Sequence, residues 1–145
     1  MVKSADGFSV ARLEGELPRS ELLWQGEPTA IRLDGVILEQ QLRVAGGYLL
    51  FLTEDSPFEE ALHIYFLDDD KRVVDGLELS APYASGLLRD VAVDGDDAVS
   101  FSFFGDDRWR VEVHKARLGF FAARVSAPLK RKGGSKKLLT ARRLR

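Results

Sequence analysis

Two histidines, three aspartate clusters and a strongly cationic ending hold most of this chain's capacity for chemistry. His63 and His114 stand fifty-one positions apart, in "LHIYF" and "VEVHK". A zinc site uses a second ligand within a few residues, and neither histidine has one. The clusters "DDD" (Asp68 to Asp70), "DGDD" (Asp94 to Asp97) and "GDD" (Gly105 to Asp107) offer the oxygen ligands that calcium takes. None has the frame closed by a glutamate that an EF-hand needs. Aspartate and glycine also supply the backbone angles of tight turns, so the clusters read as strand reversals. No P-loop, dinucleotide fingerprint or glycine-X-serine-X-glycine elbow occurs, and there is no cysteine, which removes disulfides, thiolate metal sites and cysteine nucleophiles. Accordingly no catalytic residue, metal ligand or cofactor is assigned, and the chain is expected to be non-enzymatic.

The stretch "LKRKGGSKKLLTARRLR", Leu129 to Arg145, has eight basic residues and no acid. Residues 1–107 hold eight Lys or Arg against twenty-two Asp or Glu, while residues 108–145 hold thirteen against Glu112 alone. A net charge of −2 therefore conceals two opposed portions. Such asymmetry marks an interaction tail or a nucleic-acid contact. The plainer alternative is basic strands lying beside acidic ones, where facing opposite charges stabilise each other. Arg108, Arg110, Lys115, Arg117, Lys130, Arg131, Lys132, Lys136 and Lys137, interleaved with Trp109, Phe120 and Phe121, form the candidate polyanion contact. The loop "APYASG" combines an aromatic with small and hydroxyl-bearing residues, and its Pro82, Tyr83 and Ser85 are the candidate contact for a protein partner.

These residues must be positioned by strands, because apolar side chains recur at every second position between Gly and Asp punctuation. In "AVSFSFFGDDRWRVEVH", Val99, Phe101 and Phe103 share one face and Trp109, Val111 and Val113 another, so a hairpin turning at "GDD" brings both sets into one core. Asp34 and Gly35 in "AIRLDGVILEQQLRV" suit a two-residue turn and predict a second hairpin. "YLLFL" and "LHIYFL" are apolar on both faces, which places them centrally under cover from each side. In "SPFEEAL", Ser56, Pro57 and Glu59 predict a turn or two of helix. About ten strands result, near residues 8–13, 29–33, 36–45, 48–53, 61–68, 73–80, 87–93, 98–104, 108–115 and 119–128.

The expectation is one all-β domain over residues 1–145, an antiparallel meander forming a sandwich or a closed barrel with at most one short helix. Residues 129–145 form a basic hairpin or a free tail. The hairpin is preferred because Leu138, Leu139 and Leu144 call for burial. No apolar run reaches the length of a signal peptide core or membrane span, so a cytoplasmic setting without a membrane partner is expected. A protein-interaction or accessory module is the first functional reading. A nucleic-acid or polyanion binder using the basic final third is the alternative, and a β-barrel for a small ligand is the third.

Overall fold

The computed structural model of the protein describes residues 2–56, 58–119, 122–132, 134 and 136–144. The strands are β1 (Lys3–Ser4), β2 (Phe8–Arg12), β3 (Arg19–Trp24), β4 (Glu27–Asp34), β5 (Ile37–Val44), β6 (Gly47–Thr53), β7 (Ala61–Asp68), β8 (Val73–Ser80), β9 (Arg89–Val93), β10 (Ala98–Ser102), β11 (Arg108–Val113), β12 (Leu129–Lys132) and β13 (Leu139–Leu144). They form three antiparallel sheets, ordered β1-β5-β6-β7-β8-β12, β13-β11-β10-β9 and β2-β3-β4. Among the described residues thirteen strands replace the roughly ten expected, and none of the three sheets closes on itself, so the barrel alternative does not describe the fold. No helix occurs among the described residues, and none therefore is long and apolar enough to cross a membrane.

The six-stranded sheet is the middle layer because its central strands are apolar on both faces. From β6 and β7, Leu49, Phe51, Leu62, Ile64 and Phe66 enter a core shared with Val99, Phe101, Trp109, Val111 and Leu139 of the four-stranded sheet. Leu50, Leu52, Tyr65 and Leu67 turn the other way, onto Phe8, Leu22 and Leu33 of the three-stranded sheet. Burying each such side chain contributes about 1.5–3 kcal/mol, which fixes which residues face which layer. The hairpin of β10 and β11 has the expected register, with Val99 opposite Val111 and Phe101 opposite Trp109.

Three expectations are corrected. Asp34 and Gly35 do not close a hairpin, since β4 pairs with β3 while β5 pairs with β1 and β6. They turn the chain from one sheet to another, and Gly35 adopts φ of 104°, a left-handed angle that such a corner shares with a hairpin turn. In the run 119–128 the described residues 119 and 122–128 form no strand: Ala123 N–H bonds Gly119 C=O and Leu129 N–H bonds Ser126 C=O, so the chain turns before β12. Phe120 and Phe121 lie outside the described residues. Of the expected helical turn at Ser56 the described residues show one bond, Glu59 N–H to Ser56 C=O, with Pro57 outside them.

The cationic ending is docked, but not as a hairpin. β12 adds to the middle sheet beside β8, and β13 adds to the four-stranded sheet beside β11. The expected reversal includes Gly133, outside the described residues. Past it, Leu138 and Leu139 are buried where the two sheets meet. Their N–H groups both donate to Asp75 Oδ2, at 2.8 and 2.9 Å, and Arg131 Nη1 donates to the same oxygen at 2.7 Å. One buried carboxylate thus holds the corner at which the chain changes sheets.

Candidate functional site

Toward the end of the three-stranded sheet, the middle sheet carries His63, Glu78 and Lys132 in place of apolar side chains. The register sets His63 of β7 opposite Glu78 of β8, and Gly76 opposite both Tyr65 and Lys132. A Cβ on Gly76 would stand 3.2 Å from the Tyr65 ring and 3.3 Å from Lys132 Cβ, so glycine leaves the lane along which the lysine reaches inward. Its ammonium donates to Asp34 Oδ2, to His63 Nδ1 at 2.9 Å and to Glu78 Oε1 at 3.3 Å, one acceptor for each of its three protons. Because an ammonium only donates, Nδ1 is the acceptor and Nε2 carries the imidazole proton, which it gives to Glu54 Oε2 at 2.6 Å. Arg19 Nε holds the second oxygen of Asp34 at 3.0 Å, and Tyr65 Oη accepts the Asp34 N–H at the same distance.

Four groups displaced from their ordinary range meet here. Burial works against ionisation of Asp34, but the hydrogen bond and charge of Lys132 outweigh it and hold the carboxyl low. Glu78 is likewise lowered against its burial, by the Ser80 hydroxyl and by the hydrogen bond and charge of Lys132. Lys132 is raised, burial being overcome by Asp34, Tyr65 and Glu78. Tyr65 is raised, chiefly by burial. Such clusters of displaced groups concentrate at functional sites, although structural ion networks produce them too. Here the ammonium stays charged and both imidazole nitrogens are occupied. The cluster therefore holds charges in place, and among the described residues no group of three or more possible ligands is arranged for a metal.

What the cluster anchors is a loop. Glu54, bonded to His63, opens the connection between β6 and β7, and Glu60 closes it by accepting the N–H groups of Glu54, Ser56 and Ala61 at 2.6, 3.0 and 3.0 Å. The Glu60 N–H in turn bonds Ala84 C=O, tying this loop to the one between β8 and β9. The pair displays Phe58 at 88 %, Tyr83 at 89 % and Leu87 at 62 % exposure. Tyr83 has φ of 57°, an angle a bulky residue seldom takes. Leu17 and Ile37 are exposed at the same end, in the β2–β3 connection and at the start of β5 beside Thr53. Glu14, Glu16, Glu54, Asp55 and Glu59 stand among these apolar residues along the chain.

The residues singled out from sequence fall in several places. Pro82 and Tyr83 are exposed at the loop end, with Ser85 following in the same loop. Of the nine cations, Lys132 lies in the cluster and Arg131 at the buried corner, on opposite faces of one strand. Arg108 donates to the Ser100 and Ser102 hydroxyls and Asp90 C=O, and Arg110 pairs with Glu112 and Asp94. Lys115, Arg117, Lys130, Lys136 and Lys137 are exposed. The charge asymmetry is answered in part within the fold, since Arg131 and Lys132 pair with Asp75, Asp34 and Glu78, and Arg143 with Asp107. Trp109 is core, as its alternation indicated. The Asp34, Glu54, Glu78 and His63 constellation escaped sequence reasoning; the one signal in the chain was Glu78 standing between the buried Leu77 and Leu79 of β8. Comparison with protein-family models, curated proteins and solved structures finds no match.

Proposed function

We propose that the protein is a non-enzymatic interaction module that docks through the end bearing the β6–β7 and β8–β9 loops. The observation that carries this reading is that five of the six large hydrophobic residues exposed among the described residues, Leu17, Ile37, Phe58, Tyr83 and Leu87, stand at one end of the strands, Val93 alone lying elsewhere. Apolar exposure concentrated at one end and interspersed with charge is what partner-binding surfaces present. The acids among these residues commit the partner to a complementary chemistry, an apolar face bordered by lysine or arginine. The ion cluster supports the reading by fixing the base of one of the two loops, which lowers the ordering cost of binding.

The test uses two immobilised amphipathic peptides, one alternating leucine with lysine and one alternating leucine with glutamate. The wild-type protein is expected to be retained by the first and not the second. The double variant Phe58→Ser, Tyr83→Ser is expected to lose retention while its melting temperature stays unchanged, because both side chains are exposed. Equal retention on both peptides, or retention that survives the double substitution, would refute the proposal.

A further inference from the structure

At the opposite end of the strands the middle and four-stranded sheets part, leaving a cavity of about 360 Å³. Phe66, Val74 and Leu138 form an apolar floor, each of them almost wholly buried. His114, Lys115 and Lys136 stand at the rim with Asp68. The Asp68 carboxylate serves its own turn: Oδ1 accepts the Asp70 and Arg72 N–H groups at 3.0 Å each, and Oδ2 faces Arg72 Nε at 3.7 Å. His114 Nε2 contacts Thr140 Oγ1 at 2.8 Å. Among the described residues neither Lys115 nor Lys136 has a carboxylate within ion-pair distance, so two exposed lysines line an apolar recess without a directly paired counter-charge.

We infer that this cavity is a binding site for a small amphiphilic anion, a short apolar chain or ring ending in a carboxylate or sulfonate. The volume lies within the range of small-molecule pockets, and an apolar floor with a few convergent polar groups is their usual composition. The apolar part of the ligand covers Phe66, Val74 and Leu138, while its anionic head takes the two lysines as charge-assisted donors. An uncharged ligand of the same shape forgoes those donors, and a cationic one meets them as like charges. This site is separate from the loop end, so it stands or falls independently of the docking proposal.

Octanoate and octylammonium, titrated calorimetrically against the full chain, test the inference. Octanoate is expected to bind and octylammonium not to bind. The double variant Lys115→Gln, Lys136→Gln is expected to weaken octanoate by about tenfold or more, the scale of losing charged hydrogen bonds to the head group. Ala45, exposed in the β5–β6 turn at the mouth, provides a second control: Ala45→Trp is expected to block octanoate while leaving the fold intact, as judged by its circular dichroism. Absence of octanoate binding, octylammonium binding of equal strength, or unchanged affinity in the lysine variant would overturn it.

Discussion

Arg131 and Lys132 are neighbours on one strand, yet they serve two charged sites that differ in kind. Arg131 points toward the four-stranded sheet, where Asp75 is 1 % exposed and spends one carboxylate on a guanidinium and two backbone amides. The same arginine also donates to the carbonyls of Ala123 and Leu139. Lys132 points toward the three-stranded sheet, and its partners are side chains alone, partly open to solvent at Asp34 and Glu78. A charge tied to backbone fixes where the chain goes. A charge tied to other side chains fixes how a surface is held, and its strength follows pH and salt.

If that distinction is right, substitutions on the two faces of β12 and its partners should separate in size. Deleting residues 136–145 removes β13, Leu138, Leu139 and both amides held by Asp75, and the expected outcome is a chain with no cooperative urea transition. A truncated chain that still melts sharply would mean that the corner is dispensable. Asp75→Ala leaves Arg131 and two amides buried without their acceptor, and should cost about 3–5 kcal/mol by urea denaturation. Lys132→Met should cost less, about 1–3 kcal/mol near neutrality, because its partners can turn to water.

The Lys132 site also has a pH signature. Asp34 and Glu78 are held below their ordinary values of 3.8 and 4.5, so their contribution is complete above that range and is lost as pH falls below about 4.5 toward the folded-state values. Lys132 and Tyr65 are held above 10.5 and 10.0, so theirs is complete at lower pH and is lost as pH rises beyond about 10. Lys132→Met is therefore expected to flatten the acid limb of a stability profile. An acid limb as steep as that of the wild type would show that the lysine does not set those carboxylates.

The distinction between the two sites was half legible in the residues. "YLLFL" and "LHIYFL" announced a central position because no single buried face could use so many apolar side chains. Trp109 and Val111 announced their inner face by alternation. The strand β3, "RSELLW", was missed because its adjacent leucines and the irregular pairing between Glu21 and Leu23 break the alternation. The corner at Gly35 was misread because a hairpin turn and a change of sheet can ask for the same left-handed angle. The ion cluster draws on Asp34, Glu54, His63, Tyr65, Glu78 and Lys132 from separate strands and a loop. No spacing along the chain records it, because cross-strand register within the middle sheet and the packing of a second sheet and a loop against it assemble it.

The pairing of β12 with β8 also bears on the order of events in time. Leu129 meets Leu79 only after the chain has travelled through residues 80–128 and built the β10–β11 hairpin on the way. The hairpin of β6 and β7 closes locally, whereas a contact between such distant segments must first meet the entropy of loop closure. Because Arg131 and Lys132 arrive on the same four-residue strand, both charged sites are completed in one late docking event. Until then Asp75, Asp34 and Glu78 wait without those cations, and the assembly of the two sides is expected to be concerted.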